Sequence, residues 1–247
     1  MAALLSGTGL ADSPVFAVSG RTGAGVAELR DHLETRAATF ARPPAGGRFR
    51  LAIDRAFSLA GVGTVVTGTA HDGTIAVGAT LAIAPAGWKA RVRGLHVQDR
   101  TAEQGHAGER CAVALKGDFE KKDITRGMWL VDPSLVLPLT RFQGELRVPT
   151  GLAPLRHMQV VHVHLGTDDL IGRVALLDRK EVGPRELALV ELLLERETLA
   201  LRGDRFILRD AGAQRTVAGG AGPRYRPADP AQAHARAARP AGADAQR

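Results

Sequence analysis

Asp54 and Arg55 are neighbours in a run of alternating apolar and polar residues, and Arg110 opens a later run of the same kind. Consecutive residues of a strand point to opposite faces, so Asp54 and Arg55 are expected to diverge. On residue type alone, an aspartate and two arginines make an ordinary surface ion pair, worth about 0–1 kcal/mol. His162 and His164 are two apart and share a face. Two histidines so placed can bind a metal, but a third ligand is needed and none is evident nearby, so a satisfied pair on a sheet surface is expected. Asp168-Asp169 falls at a turn and is expected to be solvated. Cys111 sits in an apolar run and reads as a buried small side chain. It is the single cysteine, so no internal disulfide is possible and a reducing cytosol fits. No nucleophile–base pair stands out.

The elements that carry these residues are legible from period and punctuation. Residues 14–18 are expected as a short buried strand, 19–25 as a Gly-rich turn, and Val26, Leu29, Arg30 and Leu33 follow at helical spacing. Strand, glycine turn and helix in that order read as the closing unit of an α/β domain whose earlier part is expected to be absent here. Residues 39–47, rich in proline and glycine, read as a linker. From Arg48 the period becomes two. Phe49, Leu51 and Ile53 alternate with Arg50, Ala52 and Asp54, and 64–69 reads as a β-branched strand. More short strands are expected at 80–84, 89–97, 110–115 and 128–131. Short strands, glycine turns and no convincing helix between them predict a closed or nearly closed barrel over 48–133. A second series at 141–148, 159–165, 172–177, 186–194 and 205–209 predicts a second barrel over 138–218. Helix propensity competes at 191–197, but the alternation of Leu187, Leu189 and Glu191 favours strand. Residues 219–247 lack apolar periodicity and read as disordered.

The 247 residues suffice for two domains of about 100 residues. Apolar stretches fall far short of the roughly 20 residues of a membrane span. The net charge of +7 is unevenly spread: 46–133 hold twelve Lys/Arg and nine acids, and the last 29 residues hold five and two. Such a surplus suits a phosphate backbone without demanding one.

The strings Phe49-Arg50-Leu51-Ala52-Ile53-Asp54-Arg55-Ala56-Phe57 and Gly61-Val62-Gly63-Thr64-Val65-Val66-Thr67-Gly68-Thr69 resemble the second domain of translational GTPases of the elongation factor Tu kind. So do Arg91-Val92-Arg93-Gly94-Leu95-His96, Ala107-Gly108-Glu109-Arg110-Cys111-Ala112 and Ile124-Thr125-Arg126-Gly127. Within that superfamily, Ile53-Asp54-Arg55, His162-Val163-His164, Gly172-Arg173-Val174 and the run from Leu208 to Thr216 resemble the selenocysteine-specific elongation factor, SelB. The resemblance covers roughly residues 14–220. It implies an all-β pair of barrels behind an α/β remnant of the GTPase domain, residues 1–38. Another elongation factor Tu-like GTPase, or an initiation factor subunit, is the alternative; Ile53-Asp54-Arg55 with Arg110 favours the first reading.

The resemblance also implies roles. Asp54, Arg55 and Arg110 would line the pocket for the selenocysteinyl group on its tRNA. A selenol is more acidic than a thiol and is largely anionic at neutral pH, and arginine, always charged and weakly hydrated, suits a soft anion. Ser19, Gly20 and Arg21 match the last guanine-contacting loop. The sequence holds no Gly-Lys pair for the phosphate loop G-x-x-x-x-G-K-S/T and no asparagine for the guanine motif Asn-Lys-x-Asp. GTP is therefore the cofactor of the intact family member, and none is expected for this chain alone. The implied partners are selenocysteinyl-tRNA and the ribosome in the cytoplasm, with no membrane. The mRNA hairpin marking the codon would be bound only through winged-helix domains that follow the barrels in the family. The final Ala/Arg/Pro-rich segment reads either as out-of-frame translation of GC-rich DNA or as a genuine linker.

Overall fold

The structure is a computed structural model that describes residues 10–40 and 46–223. The expected linker and tail therefore lie largely outside the described residues. The chain divides into two units, Met1–Pro44 and Ala45–Arg247.

In the first unit, helix α1 spans Val26–Thr39. It starts at Gly25, whose φ of 72° places it in the left-handed region that glycine adopts without steric cost. The turn before it is tied internally: the Gly23 N–H donates to Ser19 O (2.8 Å) and the Thr22 N–H to the Ser19 hydroxyl (3.2 Å). The strand expected at 14–18 does not form. Its backbone finds no ladder partner among the described residues, and a strand exists only by pairing. Val15 and Val18 are accordingly exposed.

The second unit is β throughout. Its strands are β1 (Arg50–Leu59), β2 (Gly63–Asp72), β3 (Thr74–Ala76), β4 (Thr80–Ala84), β5 (Trp88–Val97), β6 (Arg100–Thr101), β7 (Gln104–His106), β8 (Arg110–Lys116) and β9 (Trp129–Val131). The next eight are β10 (Leu139–Arg147), β11 (Leu155–Arg156), β12 (Gln159–Leu165), β13 (Asp168–Leu176), β14 (Glu181–Val182), β15 (Leu187–Thr198), β16 (Asp204–Arg209) and β17 (Thr216–Gly222). The first barrel runs β4-β9-β1-β2-β8-β5 and closes through the β4–β5 pairing, while the second closes as β10-β15-β13-β12-β16-β17. Gly61 and Gly63, with φ of 78° and 96°, make the tight reversal between β1 and β2. Each barrel fills its interior from alternate positions: Leu51, Ile53, Val66, Val92, Leu95 and Val113 in the first, Val161, Val163, Leu165, Val190, Leu192 and Leu208 in the second. The stretch 191–197 is strand as expected, but the residues that face the interior are Ala188, Val190, Leu192 and Leu194, while Leu187 and Leu189 lie on the outer face.

The last strand corrects an expectation. Residues 219–222 belong to β17, which pairs with β16 on one side and β10 on the other and so completes the second barrel. Its glycines leave room for aromatic rings: a Cβ on Gly220 would stand 2.6 Å from Phe206 Cζ. Phe206 is itself 1% exposed and meets Phe142 edge-on at 5.9 Å. Low β-propensity is offset here by packing against rings.

The two barrels meet through a third apolar cluster of Ala52, Ala82, Ala84, Trp129, Val131, Leu135 and Leu199. Arg50 of β1 bridges to Asp204 of β16 at 2.7 Å and lies over the Trp129 ring. The turn Gly166-Thr167 between β12 and β13 reaches β1, where the Thr167 hydroxyl donates to Ile53 O at 2.7 Å.

Candidate functional site

At Asp54, strand β1 carries one residue more than the facing stretch of β2. Ile53 pairs with Gly68 and Arg55 with Thr67, which leaves Asp54 unpaired in a β-bulge. The bulge cancels the alternation that would have separated Asp54 from Arg55. Cross-strand partners share a face, so Arg55 stands on the side of Thr67. Asp54 is on that side too, since the Thr67 hydroxyl donates to Asp54 Oδ1 at 2.6 Å. Gly68 is needed beside the bulge, because any Cβ there would run into the Ala52 carbonyl.

Arg110 arrives from β8, opposite Thr69. Its guanidinium holds Asp54 with two hydrogen bonds, Nη1 to Oδ2 at 2.5 Å and Nη2 to Oδ1 at 3.2 Å. The Asp54 side chain is 24% exposed and that of Arg110 52%. Partial burial works to push the Asp54 carboxyl up. The hydrogen bonds from Arg110 and then Thr67 outweigh it, and the carboxyl sits below the usual carboxylate range. Asp54 in turn raises the Arg110 guanidinium. Arg55 is exposed, and its charge also reaches Asp54. It makes no hydrogen bond or ion pair among the described residues. Asp54 thus braces Arg110, whose guanidinium the Asp99 charge also reaches, and Arg55 is the exposed cation of the set that makes no hydrogen bond or ion pair among the described residues.

The other candidates fall elsewhere. Ser19, Gly20 and Arg21 lie in the first unit, where the Ser19 N–H is already donated to Ala24 O at 3.0 Å. His162 Nδ1 contacts Asp169 Oδ1 at 2.8 Å, and His164 Nδ1 lies 3.9 Å from the same oxygen. No group of three or more metal-ligating side chains forms among the described residues. Cys111 is buried, and that burial, aided by Glu109, pushes its thiol up to about 11. The expectation for Asp168-Asp169 holds for Asp169, which is exposed, and is corrected for Asp168. Asp168 is 4% exposed, held by Arg196 and by the Thr198 hydroxyl at 3.3 Å, and Asp169 faces the histidines. A turn aspartate is buried here because it points between barrels rather than into water. Sequence reasoning also assigned no role to Thr67 or Thr167. Thr67 is flagged only by its place in the Thr-Val-Val-Thr run, and Thr167 by nothing local, since its partner is 114 residues away.

A family model of the selenocysteine-specific elongation factor beta-barrel domain matches residues 144–222, and one of elongation factor Tu domain 2 matches residues 63–131. Selenocysteine-specific elongation factors are among the curated relatives. That of Desulfomicrobium baculatum is 37% identical over 217 residues, 87% of this chain and 34% of the relative. That of Escherichia coli is 37% identical over 215 residues, 85% and 32%. That of Haemophilus influenzae is 34% identical over 212 residues, 85% and 33%. The chain thus spans about a third of the length of the curated relatives it matches. In fold it is similar to the apo form of translation elongation factor SelB from Methanococcus maripaludis. The TM-score is 0.77 over 92% of this chain and 54% of that one, at 23% identity. Two six-stranded barrels joined in this order define the barrel pair of the elongation factor Tu class. The second barrel narrows the class: residues 144–222 are the beta-barrel domain of selenocysteine-specific elongation factors.

Proposed function

We propose that this chain supplies the tRNA-binding barrels of a factor that delivers selenocysteinyl-tRNA to the ribosome in the cytoplasm, and that Asp54, Arg55 and Arg110 receive the selenocysteinyl group. The observation that carries the reading is the division within the site: a braced Arg110 beside an unpaired Arg55 on one face of a bulged strand. A selenolate is an anion and a serine hydroxyl is neutral, so an exposed guanidinium with no ion pair among the described residues separates two groups of nearly equal size. The tRNA body is the same in both, so phosphate contacts cancel in the comparison. GTP is the cofactor of the whole factor in this reading, bound outside the barrels. An elongation factor Tu-like protein of other specificity is disfavoured by the match over 144–222. The domain limits 1–38, 48–133 and 138–218 are proposed as the GTPase remnant and the two barrels, with the second extended to Gly222.

The test is a hydrolysis-protection titration with selenocysteinyl-tRNA and seryl-tRNA at one salt concentration, using the full-length GTP-bound factor. A charge-assisted contact to an anion is worth about tenfold to a hundredfold in affinity. Arg55→Ala and Arg110→Ala should each lose about that much for the selenocysteinyl form and little for the seryl form. Equal losses for both tRNAs would make the arginines backbone contacts and end the pocket assignment.

A further inference from the structure

We infer that Thr167, on the second barrel, is a positioning residue for the Asp54–Arg110 pair of the first. The inference rests on the pocket reading only for its consequence in tRNA selection; the mechanical claim stands on contacts. Asp54 has no ladder partner of its own, because the bulge leaves it opposite nothing on β2. Its direction is therefore fixed by the peptide planes on either side. The plane before it ends in the Ile53 carbonyl, which is held from two sides. The Gly127 N–H donates to it at 3.2 Å from within the first barrel, and the Thr167 hydroxyl donates at 2.7 Å from the second. The Ile53 N–H is tied to Met128 O at 2.9 Å, and the Ile53 side chain is fully buried.

The contact is anchored at both ends. Arg126 Nε of the first barrel donates to Thr167 O at 3.1 Å, so the turn gives one hydrogen bond to the first barrel and receives one from it. The next residue, Asp168, is buried and clamped by Arg196 and Thr198, which stops the turn from swinging away. Rotation of the Ile53–Asp54 peptide would turn the Ile53 oxygen off Thr167 and carry the Asp54 carboxylate off Arg110 and Thr67. The second barrel thereby sets the aim of a carboxylate that it does not touch.

A pH titration of the Asp54 carboxyl by NMR, on the 247-residue chain, tests this directly. Wild type should titrate below the usual carboxylate range. Thr167→Val keeps the shape and removes the donor, so Asp54 should move up toward that range, while Thr167→Ser should stay with wild type. Arg110→Ala, which removes the cation itself, gives the full span of the signal. Should Thr167→Val not fold, Arg126→Met loosens the same turn from its other end and should move Asp54 the same way. An Asp54 titration unmoved in a folded variant, or Ser behaving as Val, overturns the inference. In the full-length GTP-bound factor, Thr167→Val should also lower the selenocysteinyl-over-seryl preference about threefold to tenfold, the range of one neutral hydrogen bond. If Asp54 moves as expected but wild type shows no such preference, Thr167 remains a positioning residue and the pocket reading falls.

Discussion

The molecule contains the same donor set twice. Asp54 is held by Arg110 and Thr67 in the first barrel, and Asp168 by Arg196 and Thr198 in the second. In both, a strand carboxylate accepts from a guanidinium and a threonine hydroxyl, at a bulge for Asp54 and at a regularly paired position for Asp168. Arg110 and Arg196 are equally exposed, at 52% each. The difference is where the carboxylate stands. The Asp54 side chain is 24% exposed on the outer face, followed in the chain by Arg55, which is exposed and makes no ion pair among the described residues. The Asp168 side chain is 3% exposed at the seam between barrels and accepts the Asp169 N–H as well at 3.0 Å. Chemistry alone does not separate a binding site from a strut. In the proposed reading access of an incoming anion does, since Asp54 is open to solvent and Asp168 is not.

The comparison breaks first at Asp168. Asp168→Ala removes a buried acceptor of a guanidinium, a hydroxyl and a backbone N–H at once. It should cost about 2–3 kcal/mol of unfolding free energy, near the upper value for hydrogen bonds to a charged group, since Arg196 can turn to water and escape the penalty of a stranded buried charge. Urea unfolding measures it. A loss below about 1 kcal/mol would mean that the seam is held by its apolar cluster and that the two sets are energetically alike.

The sequence already carried the barrels, because a period of two and glycine turns specify paired strands whatever the partner. It carried Asp54, Arg55 and Arg110 as a set only through resemblance. Their common face was hidden, since strict alternation separates Asp54 from Arg55 and only the bulge reunites them. A bulge is decided by the pairing register, which depends on β2 rather than on β1. Asp168 was misread for the related reason that a turn is polar by default, and its burial comes from the other barrel. Strand β17 was illegible because Val217-Ala218-Gly219-Gly220-Ala221 has no strand-forming side chains beyond the first; closure by β10 and β16 and the rings of Phe142 and Phe206 make it a strand. The failed strand at 14–18 is the converse, since strand-forming residues without a partner stay unpaired.

The smallest effect belongs to Asp54, and it sharpens the comparison most. Asp54→Asn keeps the shape and removes the charge from a pair whose arginine is half in water. Such a pair contributes no more than about 1 kcal/mol. Its sign with pH is fixed by the direction of the shift. The folded-state carboxyl lies below its ordinary range, so on acidification the unfolded chain takes up the proton first. The stabilisation is therefore present above the unfolded carboxylate value of about 3.9 and is lost as pH falls through the lower folded value. Wild type should exceed Asp54→Asn by a margin of at most about 1 kcal/mol at neutral pH. That margin should shrink below about pH 4 and shrink also with added salt, which screens a solvent-facing pair more than a buried one. Paired urea titrations at several pH values, with and without salt, read the margin. A margin that is constant into acid, or that matches the loss in Asp168→Ala, would show that Asp54 is a strut like Asp168. The free charge of Arg55 would then be an incidental neighbour rather than part of a site.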